Sequence, residues 1–268
     1  MSIAQRFIFN IAPSILGALS GSISIAILGI ATTLEGYTYT FANAINGMFL
    51  PKVSRIVSND NGDVLPLMVK IGRIQIYITA LIVFGVICFG EHFIQLWVGA
   101  EFKDSYLCAL FVIVPCLLQL PQEIGNQTIF AKNKVKKLAI VYALMALVNI
   151  VLAVSLAPKF GALGICMSIF VAYMVRTIGM DIIFYKDLNI NVMSFFKDTF
   201  VKLLIPLVLC LVLGFTINAV ISIDSWLGFV IKGICFVGSY ATVMYLFAMN
   251  ENEKELVLSP IKKLFKKL

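Results

Sequence analysis

Charge is what this sequence has least of: only 13% of its residues are Asp, Glu, Lys or Arg, and His92 is its single histidine. With 60% hydrophobic residues beside it, so little charge cannot clothe an ordinary soluble domain. The six cysteines (Cys88, Cys108, Cys116, Cys166, Cys210, Cys235) lie in or beside apolar runs at no metal-ligand spacing. That excludes a metal centre and leaves them as small apolar fillers between helices. No phosphate-cradling glycine loop and no nucleophile elbow occur, which excludes an ATP-driven motor within the chain. The carboxylates are scattered, with no pair sharing one face. The chain is therefore not read as an enzyme, and neither a catalytic residue nor a cofactor is expected. Only Arg6 precedes the first apolar run, and no small-residue cleavage site follows it, so no cleavable leader is expected.

What the sequence has in abundance is apolar runs, eight of them. They lie near Phe7–Ser20, Ser24–Leu50, Leu67–Gly90, Tyr106–Phe130, Leu138–Leu156, Ala162–Phe184, Leu203–Ile221 and Trp226–Phe247. Most reach the roughly 20 residues that a bilayer-crossing helix needs. In lipid the backbone must satisfy itself, so each is a helix. The fold class is an all-α integral membrane protein of about eight spans. The first run is short and broken at Pro13. It reads as a helix whose beginning is missing, so a longer protein is expected.

Base is confined to alternate connections. Lys52, Arg55, Lys70 and Arg73 follow the second run; Lys132, Lys134, Lys136 and Lys137 follow the fourth; Lys186, Lys197 and Lys202 follow the sixth; Lys254, Lys262, Lys263, Lys266 and Lys267 close the chain. The connections between carry at most one base each, Lys103 or Lys159. The positive-inside rule puts the basic set, and with it both ends of the chain, in the cytoplasm of a multi-pass inner-membrane protein. The net charge of +7 thus sits where anionic headgroups attract it, and nucleic acid is not an expected partner.

Several stretches depart from plain hydrophobicity. The second run carries Thr32, Thr33, Glu35, Tyr37, Thr38, Tyr39, Thr40, Asn43 and Asn46. Such a helix cannot face lipid all round. After it, Val53–Asp63 reads as an amphipathic turn and a loop. Gly90–Gly99, with Trp97, reads as a short helix lying on the outer face. The fourth run places Gln119, Gln122, Glu123, Asn126 and Gln127 on one face, with Pro115 and Pro121 loosening its backbone. Lys232 reads as a snorkelling base and His92 as polar surface. The tail, ending Ile261–Leu268, reads as a basic amphipathic segment on the inner leaflet.

The order and wording of these pieces resemble the C-terminal half of Wzx-type oligosaccharide-lipid and polysaccharide flippases, within the multidrug/oligosaccharidyl-lipid/polysaccharide exporter superfamily. The resemblance is carried by Ser14–Gly17, by Tyr37–Arg55 with its core Ala44-Ile45-Asn46-Gly47-Met48-Phe49-Leu50-Pro51-Lys52-Val53, by Phe93–Gly99 with Phe102, and by Pro158–Gly164. It implies a two-lobed exporter whose spans seven to fourteen correspond to these eight runs, the N-terminal lobe being absent. Residues 1–185 would form the C-terminal lobe of six spans, 186–250 two additional transmembrane helices, and 251–268 the basic cytoplasmic tail. The implied activity is the movement of lipid-linked oligosaccharide from inner to outer leaflet by alternating access, in O-antigen or capsule export. An ion or proton gradient would drive it. The implied partners are that substrate, membrane lipid, a missing N-terminal lobe, and glycan polymerase or glycosyltransferases. A multidrug exporter of the same superfamily and a non-transporting, truncated membrane protein are the alternatives.

The expected cavity-lining residues are Glu35, Asn43, Asn46, Gln119, Gln122, Glu123, Asn126 and Arg176. Each has a second reading. Glu35 is either an ion-coupling acid or a hydrogen-bonded packing residue. Glu123 either lines the cavity or is solvated near the membrane edge. Arg176 either grips a pyrophosphate through its donor fork or pairs with Asp181 or with headgroups. Asn43, Asn46 and Asn149 bond either sugar hydroxyls or neighbouring helices.

Overall fold

A chain this apolar finds no water for its peptide groups inside a bilayer, and the helix is the form in which each segment bonds to itself. The computed structural model describes residues 16–17, 21–58, 63–221 and 225–255, with the backbone alone at 45–54, 57 and 58. Among these residues there is no strand. The helices are α1 (Gly21–Ser58), α2 (Leu65–Val98), α3 (Ser105–Ile113), α4 (Cys116–Gln119), α5 (Glu123–Ala131), α6 (Val135–Leu188), α7 (Val192–Thr199), α8 (Leu204–Val220) and α9 (Trp226–Val243). Five stretches are long and apolar enough to cross a membrane: Leu65–Val98, Ser105–Ala131, Val135–Leu188, Val192–Val220 and Trp226–Ala248. The expected first run lies outside the described residues except for Leu16 and Gly17, as does the tail beyond Glu255.

The fifth and sixth runs are the two arms of α6. Gly161 breaks it with φ 57 and ψ −132, a backbone that a side chain would strain, three residues after Pro158. The arms then run antiparallel. Asn149 donates to Ser168 at 3.2 Å, Arg176 to Tyr142 at 3.1 Å, and Lys134 to the Asp187 carbonyl at 2.6 Å. Near the turn the contact is closest: a Cβ on Gly164 would stand 2.5 Å from the Leu156 carbonyl oxygen. Small residues permit this approach, as in other close membrane helix pairs. At the far end Asn189 closes the helix in the left-handed region, and Asn191 caps α7 by accepting from the Ser194 amide.

The fourth run is divided as its prolines require. α3 ends before Pro115, α4 follows for one turn, and a 3-10 turn over Leu120–Gln122 holds Pro121. Two expectations fail. Gly90–Gly99 is not a separate surface helix: α2 runs unbroken to Val98 and stops at Gly99, where φ is 102. Its outer turns pack on other helices through Phe93 and Ile94 and leave Trp97 partly exposed. Likewise Val53–Ser58 is no turn but the last part of α1, which continues through Pro51; Asn59–Gly62 lies outside the described residues.

The pair α8 and α9 packs on itself and on α2. Tyr240 on α9 donates to the Tyr77 carbonyl at 2.7 Å. A clamp closes the arrangement at the basic end. Arg73 Nε donates to Glu253 Oε1 at 2.7 Å, and its Nη2 donates to the Ala248 carbonyl at 2.6 Å and to Tyr77. Tyr77 in turn donates to Glu253, and Glu253 also accepts from the Asn250 amide. One guanidinium therefore ties α2 to the segment that follows α9.

Burial alone would raise the Glu253 carboxyl, but the Arg73 guanidinium outweighs it and holds the group below its ordinary 4.5. A depressed folded value means that the clamp contributes fully above the ordinary carboxylate range and is lost as pH falls through the depressed value. Arg73→Gln strands a buried carboxylate and should cost about 3–5 kcal/mol. The double replacement Arg73→Met with Glu253→Leu should recover much of this. Thermal unfolding of the detergent-solubilised chain at pH 7 and pH 4 checks both; equal losses in single and double variants contradict the clamp.

Candidate functional site

On α1 the sequence resolves into two faces. Leu28, Ala31, Glu35, Thr38 and Ala42 recur at alternating spacings of three and four and are all buried. Thr33, Gly36, Tyr37, Thr40 and Asn43 lie on the other side and are exposed. The threonines there bond their own helix: Thr33 donates to the Gly29 carbonyl at 2.7 Å and Thr40 to that of Gly36 at 2.8 Å. A Cβ at Gly29 or Gly36 would meet nothing within 4 Å. α1 thus presents an open face, polar at Thr33, Tyr37, Thr40 and Asn43 with Phe41 exposed beside them, behind a well-packed one.

The packed face carries a buried polar network. Glu35 is 2% exposed and accepts from the Tyr173 hydroxyl at 2.6 Å. One turn on, Tyr39 donates to Gln119 Oε1 at 2.8 Å. The same oxygen accepts from Arg176 Nη1 at 2.7 Å. Arg176 reaches Tyr142 with its Nε, and its guanidinium lies 5.2 Å from that ring's centroid. Residues 35 and 39 on α1 and 173 and 176 on α6 stand one turn apart, so two rungs cross between the helices. The Arg176 charge also acts on Glu123, which accepts from Asn126 at 2.8 Å. Three elements and both arms of α6 meet around one guanidinium.

The structure therefore sorts the expected residues. Glu35, Gln119, Gln122, Asn126 and Arg176 are buried, and Glu123 is half-buried beside them. Asn43 alone of the set is on the open face; the Asn46 side chain lies outside the described residues. Arg176 does not pair with Asp181, which lies beside Gln122, because Gln119 and Tyr142 reach it first. Asn149 serves the α6 hairpin. Three tyrosines were missed as network members: Tyr39, Tyr142 and Tyr173. Their signal was available, since a phenol inside a membrane needs a partner for its hydroxyl. Lys232 does not snorkel; it is 4% exposed and donates to Asn218 at 3.1 Å, held between α8 and α9. Among the described residues no cluster of His, Cys, Asp and Glu could hold a metal ion, and the cysteines are free.

Fold and composition define a multi-pass α-helical membrane protein. The family model "Lipid II flippase MurJ" matches residues 38–235, most of the chain. The chain belongs to that family, one of flippases and not of enzymes, within the multidrug/oligosaccharidyl-lipid/polysaccharide exporter superfamily. A solved structure of lipid II flippase MurJ in an inward closed conformation is similar, with a TM-score of 0.60 and 14% identity, over 90% of this chain and 52% of that one. The chain thus spans about half the length of the flippase it resembles. Among proteins of curated function, none matches.

Gln119 accepts from two donors, so its loss should cost more than the loss of either donor. Tyr39→Phe should cost about 1 kcal/mol, whereas Gln119→Leu, which strands a buried guanidinium, should cost about 3 kcal/mol. In the Tyr39→Phe/Gln119→Leu double variant the costs should not add. Thermal unfolding in detergent gives the comparison; additive losses would mean that the two residues do not share one network.

Proposed function

We propose that this chain is the C-terminal lobe, residues 1–185, with two added helices, residues 186–250, of a flippase that carries lipid II from the inner to the outer leaflet. Residues 251–268 form its cytoplasmic tail, and the basic connections face the cytoplasm of the inner membrane. The observation that carries the reading is the open polar face of α1. Thr33 and Thr40 bond their own helix, but the Tyr37 hydroxyl and the Asn43 amide turned toward hydrocarbon would be costly, whereas turned toward a water-filled cavity they are stable and useful. Such a cavity needs a second wall, which a preceding lobe supplies.

The membership in the lipid II flippase family favours lipid II over the lipid-linked oligosaccharide that the Wzx-type resemblance implied. Both are amphiphiles with a sugar head and phosphates on a long lipid, so the two expectations share one mechanism. The head enters the cavity, the lipid stays in the bilayer, and the lobes rock to alternate access. Within that motion the Glu35–Tyr173 and Tyr39–Gln119–Arg176 rungs keep this lobe rigid. Asn43 and the hydroxyls beside it meet the sugar head. Gln122, Glu123 and Asn126 stand at the inner side, where cavity water would reach Glu123.

In the protein that includes the preceding lobe, Thr40→Leu and Asn43→Leu should each lower lipid II translocation at least fivefold at unchanged abundance. Val212→Ala, on an exposed apolar face, should leave it intact. Translocation in proteoliposomes, or growth of cells depleted of their own lipid II flippase, measures this. Full activity in both leucine variants would contradict a cavity at this face.

A further inference from the structure

At the end of the bundle opposite the Arg73 clamp, α2, α3, α8 and α9 enclose a polar cavity of about 620 Å³. Its wall is made by Glu91, His92 and Gln95 from the last turns of α2, Tyr106 from α3, Asn218 from α8 and Lys232 from α9. None of these belongs to the α1 face or to the Arg176 network. The floor is built: Lys232 is 4% exposed, and among the described residues its hydrogen bond is to the neutral Asn218 oxygen at 3.1 Å. An ammonium has three donors and gains most from an anionic acceptor. Tyr106 is fixed by donating to the Ile87 carbonyl at 2.7 Å, and Gln95 approaches Glu91 at 3.5 Å on the exposed rim.

The depth of the cavity identifies the ligand class. Along α2, Arg73 and Glu91 are separated by a stretch that rises about 27 Å at 1.5 Å per residue, close to the roughly 30 Å of a hydrocarbon core. The cavity therefore lies at the headgroup level opposite the clamp, the outer one in the orientation proposed above. Aromatic side chains mark the same level. Phe93 stacks on Trp97 at 5.5 Å and meets Trp226 edge-on at 6.3 Å. Trp97 is 41% and Trp226 50% exposed, the placement that indoles take at a membrane interface.

We propose that this cavity is a binding site for the phosphate-bearing headgroup of an outer-leaflet phospholipid. The phosphate accepts from Lys232 at the floor, and Gln95 and Glu91 at the rim take the headgroup's hydroxyl or amine donors. The acyl chains stay in the bilayer outside α8 and α9. This site rests on the membrane orientation proposed above but not on the substrate cavity proposed for the α1 face, so a failure of that cavity does not touch it.

The test is native mass spectrometry of the delipidated chain in detergent, titrated with phosphatidylglycerol, phosphatidylethanolamine and diacylglycerol, with glycerol phosphate as a soluble competitor. Both phospholipids should bind at least fivefold more tightly than diacylglycerol. Lys232→Gln should bring that ratio below two, and Lys232→Arg should keep it. Asn218→Asp gives the ammonium an internal counter-ion in a folded protein and should also abolish the preference. Equal binding of diacylglycerol, or a preference that survives both Lys232→Gln and Asn218→Asp, overturns the proposal. Glycerol phosphate binding as tightly as the phospholipids overturns its lipid half, since the site would then take a soluble phosphate.

Discussion

Burying a guanidinium inside a membrane helix bundle is the constraint on which the rest of this structure turns. Arg176 can stay there only while every nearby acceptor is held in place. Gln119 and Tyr142 supply the acceptors, and Gln119 is in turn aligned by Tyr39. Those bonds dictate which face of α1 points inward, how the two arms of α6 are registered, and where the proline-broken fourth span must turn. Glu35 then occupies the same inward face and takes its hydrogen bond from Tyr173. With Glu35, Tyr39, Gln119 and Arg176 hydrogen-bonded on the inward side, the opposite face of α1 leaves Tyr37 and Asn43 exposed.

That division separates structure from function within one helix. The residues chemically most conspicuous in the sequence, Glu35 and Arg176, work as internal joints. The residues that would meet a cargo are plainer: threonines, a tyrosine, an asparagine and two glycines without neighbours. The proposed rocking of lobes would need both kinds, joints that do not slip and a surface that does not grip too tightly. Arg73 and Glu253 play the matching role at the basic end, where they fasten the segment after α9 to α2.

Much of the architecture was legible in the sequence because bilayer thickness and backbone self-satisfaction leave few options. Run lengths gave the spans of the third to eighth runs, Pro158 and Gly161 the reversal, and Pro115 and Pro121 the broken helix. The extent of α2 was not legible, since Gly90 and the polar Glu91, His92 and Gln95 resemble a boundary, yet nothing in them stops a helix until Gly99 needs a positive φ. Nor could composition say which neighbour a buried polar residue meets. Arg176 has Asp181 close in sequence, but the helix that carries Gln119 reaches it instead, and such a contact depends on tertiary packing alone. For the same reason Lys232 read as a base at a membrane edge, while packing of α8 against α9 gives it Asn218 and a cavity.

Water accessibility of single cysteines in the membrane-embedded protein tests the central claim most directly. With the native cysteines replaced, a membrane-impermeant thiol reagent should label positions 33, 40 and 43, all on the open face of α1, and should leave positions 31, 38 and 42 unlabelled. Equal labelling of the two sets, or labelling of the packed face alone, would contradict the assignment of α1 to a cavity wall backed by a rigid polar network.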